Sequence, residues 1–161
     1  MDSKLKENWV YEVVVESGGG HAAPMGVKFT GDGNVVLDAY NSSETCKNIG
    51  HDGSYRIYFT DVLGLKEALD KKRLSEKILP SMEVKVEDKE DLGDFTRFTG
   101  KITYQDNTDE IRPVNRAEAL LLEALIESTK PQPVKEKIRE YARVISKVAP
   151  DSEYDKNCRK L

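Results

Sequence analysis

Alternation of apolar and polar residues with a period of two is the feature that most constrains the fold of this chain. In WVYEVVVE, residues 9–16, one side of the segment carries Trp9, Tyr11, Val13 and Val15. This alternation is typical of a β-strand with one buried face. Because three consecutive glycines follow at residues 18–20, the sequence predicts that the strand ends there in a tight turn.

Further segments of this kind fill the first two thirds of the chain. The sequence Gly31-Asp32-Gly33-Asn34 is a strong hairpin turn between predicted strands at residues 22–29 and 35–40. Later strands are predicted at residues 54–60, 82–87 and 94–104. The inward faces are predicted to carry Val35, Leu37 and Ala39; Tyr55, Ile57 and Phe59; Met82, Val84 and Val86; and Phe98, Ile102 and Tyr104. Gly100 within the last strand indicates a bulge or a close backbone approach.

Two helices are predicted between the strands. Polar capping residues at 41–45 and a closing Gly50 predict one or two helical turns. Asp61 is the predicted cap of a second helix that runs to about residue 72.

The last third of the chain changes to a helical pattern. Asn115 and Glu118 resemble a capping box at the start of a helix over residues 116–129. A second helix over residues 134–148 has apolar side chains at helical spacing. These helices predict a C-terminal hairpin within residues 113–161, packed on the strands or across a dimer.

This order of elements predicts a mainly β (α+β) fold. Several short antiparallel strands, followed by helices, favour a small closed barrel at residues 1–112, and a sandwich is the competing architecture. At 161 residues the chain is large enough to bury a core without disulfides or metals.

Composition narrows the classes of function. The net charge of −4 and the 7% aromatic content argue against a nucleic-acid-binding surface. The mean hydropathy is −0.60 and no apolar run reaches the length of a membrane span. The first residues lack the apolar centre of a signal peptide. The sequence therefore predicts a cytoplasmic protein with no nucleic-acid or membrane partner.

Residues that commonly carry catalysis are scarce and poorly spaced. Cys46 and Cys158 form no disulfide pattern, and with His21 and His51 they match no zinc spacing. A catalytic pair of Cys46 with either histidine stays open, although histidines near turns are the simpler interpretation. No metal site and no catalytic residue are predicted.

A phosphate site is one interpretation of residues 41–48. Ser42, Ser43 and Thr45 lie at the predicted helix start, and Lys47 is close by. A helix N-terminus presents free N–H groups and a positive dipole end, so an anion binds there favourably. The alternative is an ordinary serine-rich helix cap.

The segment Ala22-Ala23-Pro24-Met25-Gly26 is a second candidate. Gly26 lacks a Cβ, so its backbone can approach a flat ring closely, and Pro24 stiffens the chain before it. Such a corner can present backbone donors to a planar heterocycle. The residues alone equally allow a simple bend between strands.

Three motifs together resemble a known family. They are W-V-Y-E-V-V-V at residues 9–15, A-A-P-M-G-V at 22–27, and S-x-x-T-x-x-N from Ser42 to Asn48. They are similar to motifs of a mainly archaeal family of uncharacterised proteins with an FMN-binding split barrel, related to flavin reductases. The helix at 116–129 and K-V-A-P at 147–150 resemble the same family's C-terminal region, so the resemblance covers nearly the whole chain.

The resemblance implies a six-stranded antiparallel split barrel that dimerises and holds FMN near the subunit interface. It implies that one segment lies against the isoalloxazine ring and that a second contacts the phosphate and ribityl chain. It also implies that Tyr40 lines the pocket and that Arg116, beside Asn115, reaches the phosphate or a partner subunit. The residues are Ala23, Pro24, Met25, Gly26 and Val27 for the ring, and Ser42, Ser43, Thr45 and Asn48 for the phosphate and ribityl chain. Because the turn at residues 18–20 is bare, substrate contacts of that loop do not carry over.

The predicted function is that of an FMN-binding flavoprotein, acting as a flavin-dependent oxidoreductase of the flavin-reductase-like class. A nicotinamide is a possible donor, and a homodimer is expected. The alternative is a flavin-binding carrier, sensor or subunit without turnover.

Overall fold

The computed structural model describes residues 4–75, 79–106 and 111–161. Six strands and five helices follow one another in these residues. The strands are β1 Val10–Ser17, β2 His21–Phe29, β3 Asn34–Tyr40, β4 Ser54–Tyr58, β5 Ser81–Asp91 and β6 Phe95–Asp106. The helices are α1 Glu44–Asp52, α2 Val62–Lys71, α3 Ala117–Ser128, α4 Lys135–Val148 and α5 Glu153–Cys158.

The six strands form a closed barrel in the order β1-β2-β3-β6-β5-β4. The barrel closes where β1 pairs antiparallel with β4, with Val14 opposite Tyr58 and Glu16 opposite Arg56. Because the sheet closes on itself, β1 and β4 pair with each other and are not edge strands, whereas each sheet of a sandwich has two edge strands. The predicted antiparallel barrel is therefore confirmed, and the sandwich is wrong.

The barrel core consists of the inward side chains predicted from alternation. Val35, Leu37 and Ala39 on β3 are fully buried, as are Ile57 on β4 and Val84 on β5. Three predicted inward residues depart from this pattern: Val86 and Ile102 are only half-buried, and Tyr104 lies 53% exposed near the end of β6.

A bulge allows β5 and β6 to pair along their length. The register shifts between Val86 and Asp88, next to Gly100 on β6. A Cβ at Gly100 would lie 2.4 Å from the Lys85 carbonyl oxygen. Only glycine fits there, which confirms both the bulge and the close approach predicted at this residue.

Of the predicted helix caps, Gly50 is wrong, and Asn115 is confirmed as a cap without the full capping box. The residue that ends α1 is Gly53, with φ of 67° and its N–H donating to Ile49 O at 2.9 Å, so Gly50 lies inside the helix. At α3 the cap position is Arg116, which makes no side-chain capping bond. The predicted capping role of Asn115 is confirmed, because its Oδ1 accepts from Ala117 N, at the start of α3, at 2.8 Å. The bonds of the described residues do not include the reciprocal one from Glu118 that a capping box requires. The Asp61 cap of α2 is confirmed, because Oδ1 accepts from Gly64 N at 3.0 Å.

The chain forms two compact units. Residues 4–7 and 12–114 make up the barrel unit, whereas residues 8–11 and 115–161 make up a helical unit. Within the helical unit, Asn115 Nδ2 donates to Val10 O at 2.7 Å and to Val148 O at 2.9 Å. Trp9 meets Tyr154 edge to face at 6.1 Å. The first residues of the strand therefore belong with the helices.

Candidate functional site

The N-terminus of α1 is shaped by one serine. Ser43 Oγ accepts from Cys46 N at 3.1 Å and donates to Tyr40 O at 2.7 Å, so the hydroxyl fixes both the helix start and the preceding turn. A capped helix of this kind still has first-turn N–H groups without intrahelical partners. The predicted role of Ser43 as a cap is confirmed by these bonds. A phosphate at this position would meet N–H groups more readily than this hydroxyl.

Charges around the α1 N-terminus oppose each other. Glu44 lies in the first turn and is exposed, and Lys47 is exposed one turn later. The carboxylate disfavours a second anion, whereas the ammonium attracts one. Ser42, also exposed, offers a hydroxyl at the same end. Anion binding here would therefore rest on N–H groups and hydroxyls more than on net charge.

Tyr40 presents an open aromatic surface beside this helix start. It is 60% exposed, and its ring packs on Phe95 with centroids 4.2 Å apart and an angle of 34°. The two residues face each other across the β3–β6 pairing. The pair is therefore an apolar platform at the end of β3, directly before the predicted phosphate segment.

Asn41 holds the β5–β6 turn against this platform. Its Nδ2 donates to Gly93 O at 2.7 Å, and its Oδ1 accepts from Thr96 Oγ1 at 2.7 Å. Its backbone N–H donates to Asp94 O at 3.0 Å. Sequence reasoning missed the contribution of Phe95 and Thr96 to this region. Their position depends on β3 pairing with β6, which no local pattern reveals.

The predicted ring-binding segment lies on β2. Ala23, Pro24 and Met25 are half-buried and Gly26 is exposed, whereas the Val27 side chain is completely buried. The β2–β3 register covers Val27–Phe29, so the four preceding residues lie beyond it. Val27 can offer a ligand its backbone only.

The two predicted segments lie on neighbouring elements. Helix α1 packs against β2 as well as against β3 and β4. The helix that begins after Ser43 therefore adjoins the strand that carries Gly26. This arrangement can bind a ligand that has a flat part and an anionic part.

Thr45 and Asn48 occupy different surroundings from the other predicted phosphate residues. Thr45 is 2% exposed and faces inward. The Asn48 amide packs on the β1–β2 turn, where Nδ2 donates to Ser17 Oγ at 3.4 Å. A Cβ at Gly18 would lie 2.4 Å from that nitrogen. Asn48 therefore supports the triglycine turn and points away from the first turn of α1.

Arg116 belongs to the helical unit and is exposed at the start of α3. Its predicted contact with a phosphate or a partner subunit stays a prediction.

A polar depression of about 430 Å³ adjoins the triglycine turn. Its lining includes Gly18, Gly19 and Tyr55, together with an ion pair of Arg56 with Glu83. The Tyr55 hydroxyl is buried without a hydrogen-bond partner among the described residues, and burial raises the pKa of the phenol. None of the residues predicted to bind FMN lines this depression.

Comparison with known proteins gives a match to one family model over part of the chain and several similar folds. Residues 11–89 match the model of the N-terminal domain of DUF447, a family of proteins of unknown function. No curated protein matches the sequence.

Solved structures match over larger parts of the chain. An FMN-bound protein of Methanosarcina mazei, MM1853, assigned to the DUF447 family model, is 18% identical with a TM-score of 0.56, and the match covers 98% of this chain and 94% of that one. The NADH:FAD oxidoreductase SgcE6 of Streptomyces globisporus is 10% identical with a TM-score of 0.51, over 65% and 79%. An FMN-binding protein of Thermus thermophilus, with bound 1-cyclohex-2-enone, is 10% identical with a TM-score of 0.50, over 64% and 76%.

These likenesses show the fold: the barrel is of the type found in flavin-binding proteins. The match with the Methanosarcina protein also extends over the helical third of the chain. Within the described residues, no helix has the length and apolar character needed to cross a membrane.

Proposed function

We propose that the barrel unit binds FMN, with the ring on β2 and the phosphate at the N-terminus of α1. The observation that carries this proposal is the packing of α1, whose start is capped by Ser43, against β2, the strand that carries the exposed Gly26. The similar Methanosarcina protein is described as FMN-bound, which supports the same ligand. An anion is favoured at the helix start by its N–H groups and dipole.

The residues of the proposed site differ in how well they are placed to contact FMN. Gly26 has no side chain to hold a ring away from the backbone, and Tyr40 with Phe95 offers an apolar surface near the helix start. Ser42 and the first-turn N–H groups are the best placed for a phosphate. Thr45 and Asn48 stay in the proposal, but burial and the contact with Ser17 limit what their side chains can reach.

The proposed activity is that of an oxidoreductase of the flavin-reductase-like class. Bound flavin would supply hydride or electron transfer, and the protein would supply binding and orientation. One similar structure is named an NADH:FAD oxidoreductase, which supports a nicotinamide as the electron donor.

A second copy of the chain belongs to the same proposal. Tyr40 and Gly26 are both exposed in a single chain, and a bound flavin there would stay open to water on one side. A homodimer would cover this side, with Arg116 of either subunit as a candidate phosphate contact. A cytoplasmic location is proposed with it.

Turnover is tested by mixing FMN-loaded protein with NADH or NADPH under anaerobic stopped-flow conditions. Loss of visible flavin absorbance faster than for free FMN at the same concentration supports the oxidoreductase. If bound FMN is reduced by neither donor, the protein is better described as a carrier, sensor or subunit. Binding and turnover are measured separately, so one can fail while the other holds.

A further inference from the structure

A groove on the helical unit has an apolar floor. It runs between α4 and the segment from Cys158 to Leu161, with a volume of about 480 Å³. Ile138, Ala142 and Cys158 form the floor, and Leu161 forms one wall. Burial raises the pKa of the Cys158 thiol, so this side chain stays protonated at neutral pH and contributes as an apolar group. The volume lies in the range of sites that hold small molecules, about 300–1,000 Å³.

Positive charge surrounds this floor. Lys135, Arg139 and Arg143 lie at spacings of four residues along α4 and line the groove, and Arg159 lines it from the other side. Among the residues that the structure describes, no acidic side chain lines the groove. Glu136, outside the lining, is exposed and pairs with Arg139 at 3.3 Å and with Arg143 at 3.6 Å. These exposed pairs are weak, so both guanidinium groups stay available to a stronger anionic partner.

Arg159 is held in place by a buried carboxylate. Its Nε and Nη2 donate to the two oxygens of Asp155 at 2.8 Å each, and Nη2 also donates to Ser146 Oγ at 3.2 Å. Burial alone would raise the pKa of Asp155, but hydrogen bonds from Arg159 and Ser146 outweigh it and lower the pKa. A fixed guanidinium at the mouth of an apolar groove is a preorganised contact for an anionic group.

We propose that this groove binds a free medium-chain monocarboxylate. The carboxylate lies among the guanidinium groups of Arg139, Arg143 and Arg159, and the alkyl chain covers Ile138 and Ala142. The ligand needs one charged end, because the cations line the rim. It needs an apolar remainder, because Ile138, Ala142, Leu161 and the protonated Cys158 thiol line the groove, while the Ser146 hydroxyl that also lines it is bonded to Asp155 and Arg159. This site lies in the helical unit and is separate from the proposed flavin site.

The probe is decanoate, kept below its micelle concentration and titrated into the full chain by isothermal titration calorimetry. Two compounds serve as comparisons: acetate keeps the carboxylate but lacks the long alkyl chain, and 1-decanol keeps the alkyl chain but lacks the carboxylate. We expect decanoate to bind at least about tenfold more tightly than either, which corresponds to about 1.4 kcal/mol. An absence of decanoate binding, or equal affinity for acetate, overturns the proposal.

Three variants locate the site. The double variant Arg139→Glu/Arg143→Glu is expected to weaken decanoate at least tenfold, and Leu161→Ala severalfold. Lys147→Glu is the matched control, because it changes charge on the same helix outside the lining. Circular dichroism checks that each variant is folded, and FMN binding is measured in parallel as an independent property. Unchanged affinity in both groove variants, or an equal loss in Lys147→Glu, places the ligand elsewhere and overturns the proposal.

Discussion

Both the backbone conformation and the neighbouring side chain at position 18 require glycine. The turn Gly18-Gly19-Gly20 has φ angles of 58°, 76° and 132°, which residues with a Cβ rarely adopt. At Gly18 a Cβ would also overlap the Asn48 amide. The bareness of this turn is therefore a structural requirement, whatever its distance from a ligand.

The variant Gly18→Ala tests this requirement. We expect it to lower the free energy of unfolding by about 1–3 kcal/mol, because the positive φ strains an alanine and Asn48 must move. Gly50→Ala is the matched control: Gly50 lies inside α1, and a Cβ there meets nothing within 4 Å. That control is expected to gain up to about 1 kcal/mol from helix propensity. Urea unfolding measures both, and a Gly18→Ala protein as stable as the parent would refute the argument.

Gly26 is expected to matter for the ligand and not for the fold. Valine suits a strand, so Gly26→Val is expected to keep the barrel stable. Its side chain separates the backbone from a flat ring, and we expect FMN and riboflavin to bind at least about tenfold more weakly, a loss of about 1.4 kcal/mol. Gly26→Ala is expected to lose less. Equal FMN affinity in parent and valine variant, measured by fluorescence quenching, means that Gly26 only forms a bend.

Asp155 links residue chemistry to acid stability of the helical unit. Its folded pKa is lowered, so its stabilising contribution is present above the unfolded value of about 3.9 and is lost as pH falls through the lower folded value. We expect Asp155→Asn to lose about 1–3 kcal/mol at pH 7, since Arg159 and Ser146 lose a charged acceptor. As the pH falls from 5 through the folded pKa of Asp155, we expect the free energy of unfolding to decrease less in this variant than in the parent.

Glu153→Gln is the control for Asp155→Asn. Glu153 pairs with Lys156 at 3.1 Å, but its side chain is 80% exposed, so we expect almost no change in stability. Chemical denaturation at several pH values measures both variants. Parallel stability curves for parent and Asp155→Asn would show that Asp155 does not carry the acid sensitivity.

At the scale of elements, α1 is the part of the proposed site that contacts the phosphate of FMN. FMN has this group and riboflavin lacks it, so the ratio of their affinities isolates the helix start. We expect Ser42→Ala to weaken FMN about tenfold, about 1.4 kcal/mol, with little effect on riboflavin. Thr45→Ala is expected to weaken FMN by a smaller factor, again more than riboflavin, since its buried side chain reaches less far. Because Thr45 is buried, its variant also loses stability, and the affinity ratio corrects for this.

Ser54→Ala, on the exposed start of β4, is the control for these α1 variants. Its FMN-to-riboflavin ratio is expected to equal that of the parent. If Ser42→Ala and Thr45→Ala lower both affinities equally, the phosphate lies away from α1.

Elements were predictable where the signal was local. Alternation located the strands, and the inward face of β3, with Val35, Leu37 and Ala39, is fully buried. The six-residue helix α5 was missed, because it is too short to show apolar periodicity and its Ser152 cap resembles a turn. The bonds from Asn115 Nδ2 to Val10 O and Val148 O could not be predicted, because these partners lie far away in sequence. The position of Phe95 beside Tyr40 was equally hidden, since it follows from the β3–β6 pairing.

At the scale of the whole molecule, the chain combines a closed barrel with a helical unit that includes residues 8–11. The sequence predicted a boundary near residue 112, where the helical pattern begins. The alternation of the strand continues through Trp9 and Val10. For this reason the sequence does not reveal that residues 8–11 pack with the helices. The proposed binding of FMN concerns the whole molecule, because a second copy of the chain is proposed to cover the flavin.

The most direct test is a titration of the purified full-length chain with FMN, followed by its visible spectrum after removal of free flavin. We expect a yellow protein that retains about one FMN per chain, with a perturbed absorbance band and quenched flavin fluorescence. A correctly folded protein that stays colourless after incubation with FMN would contradict the account.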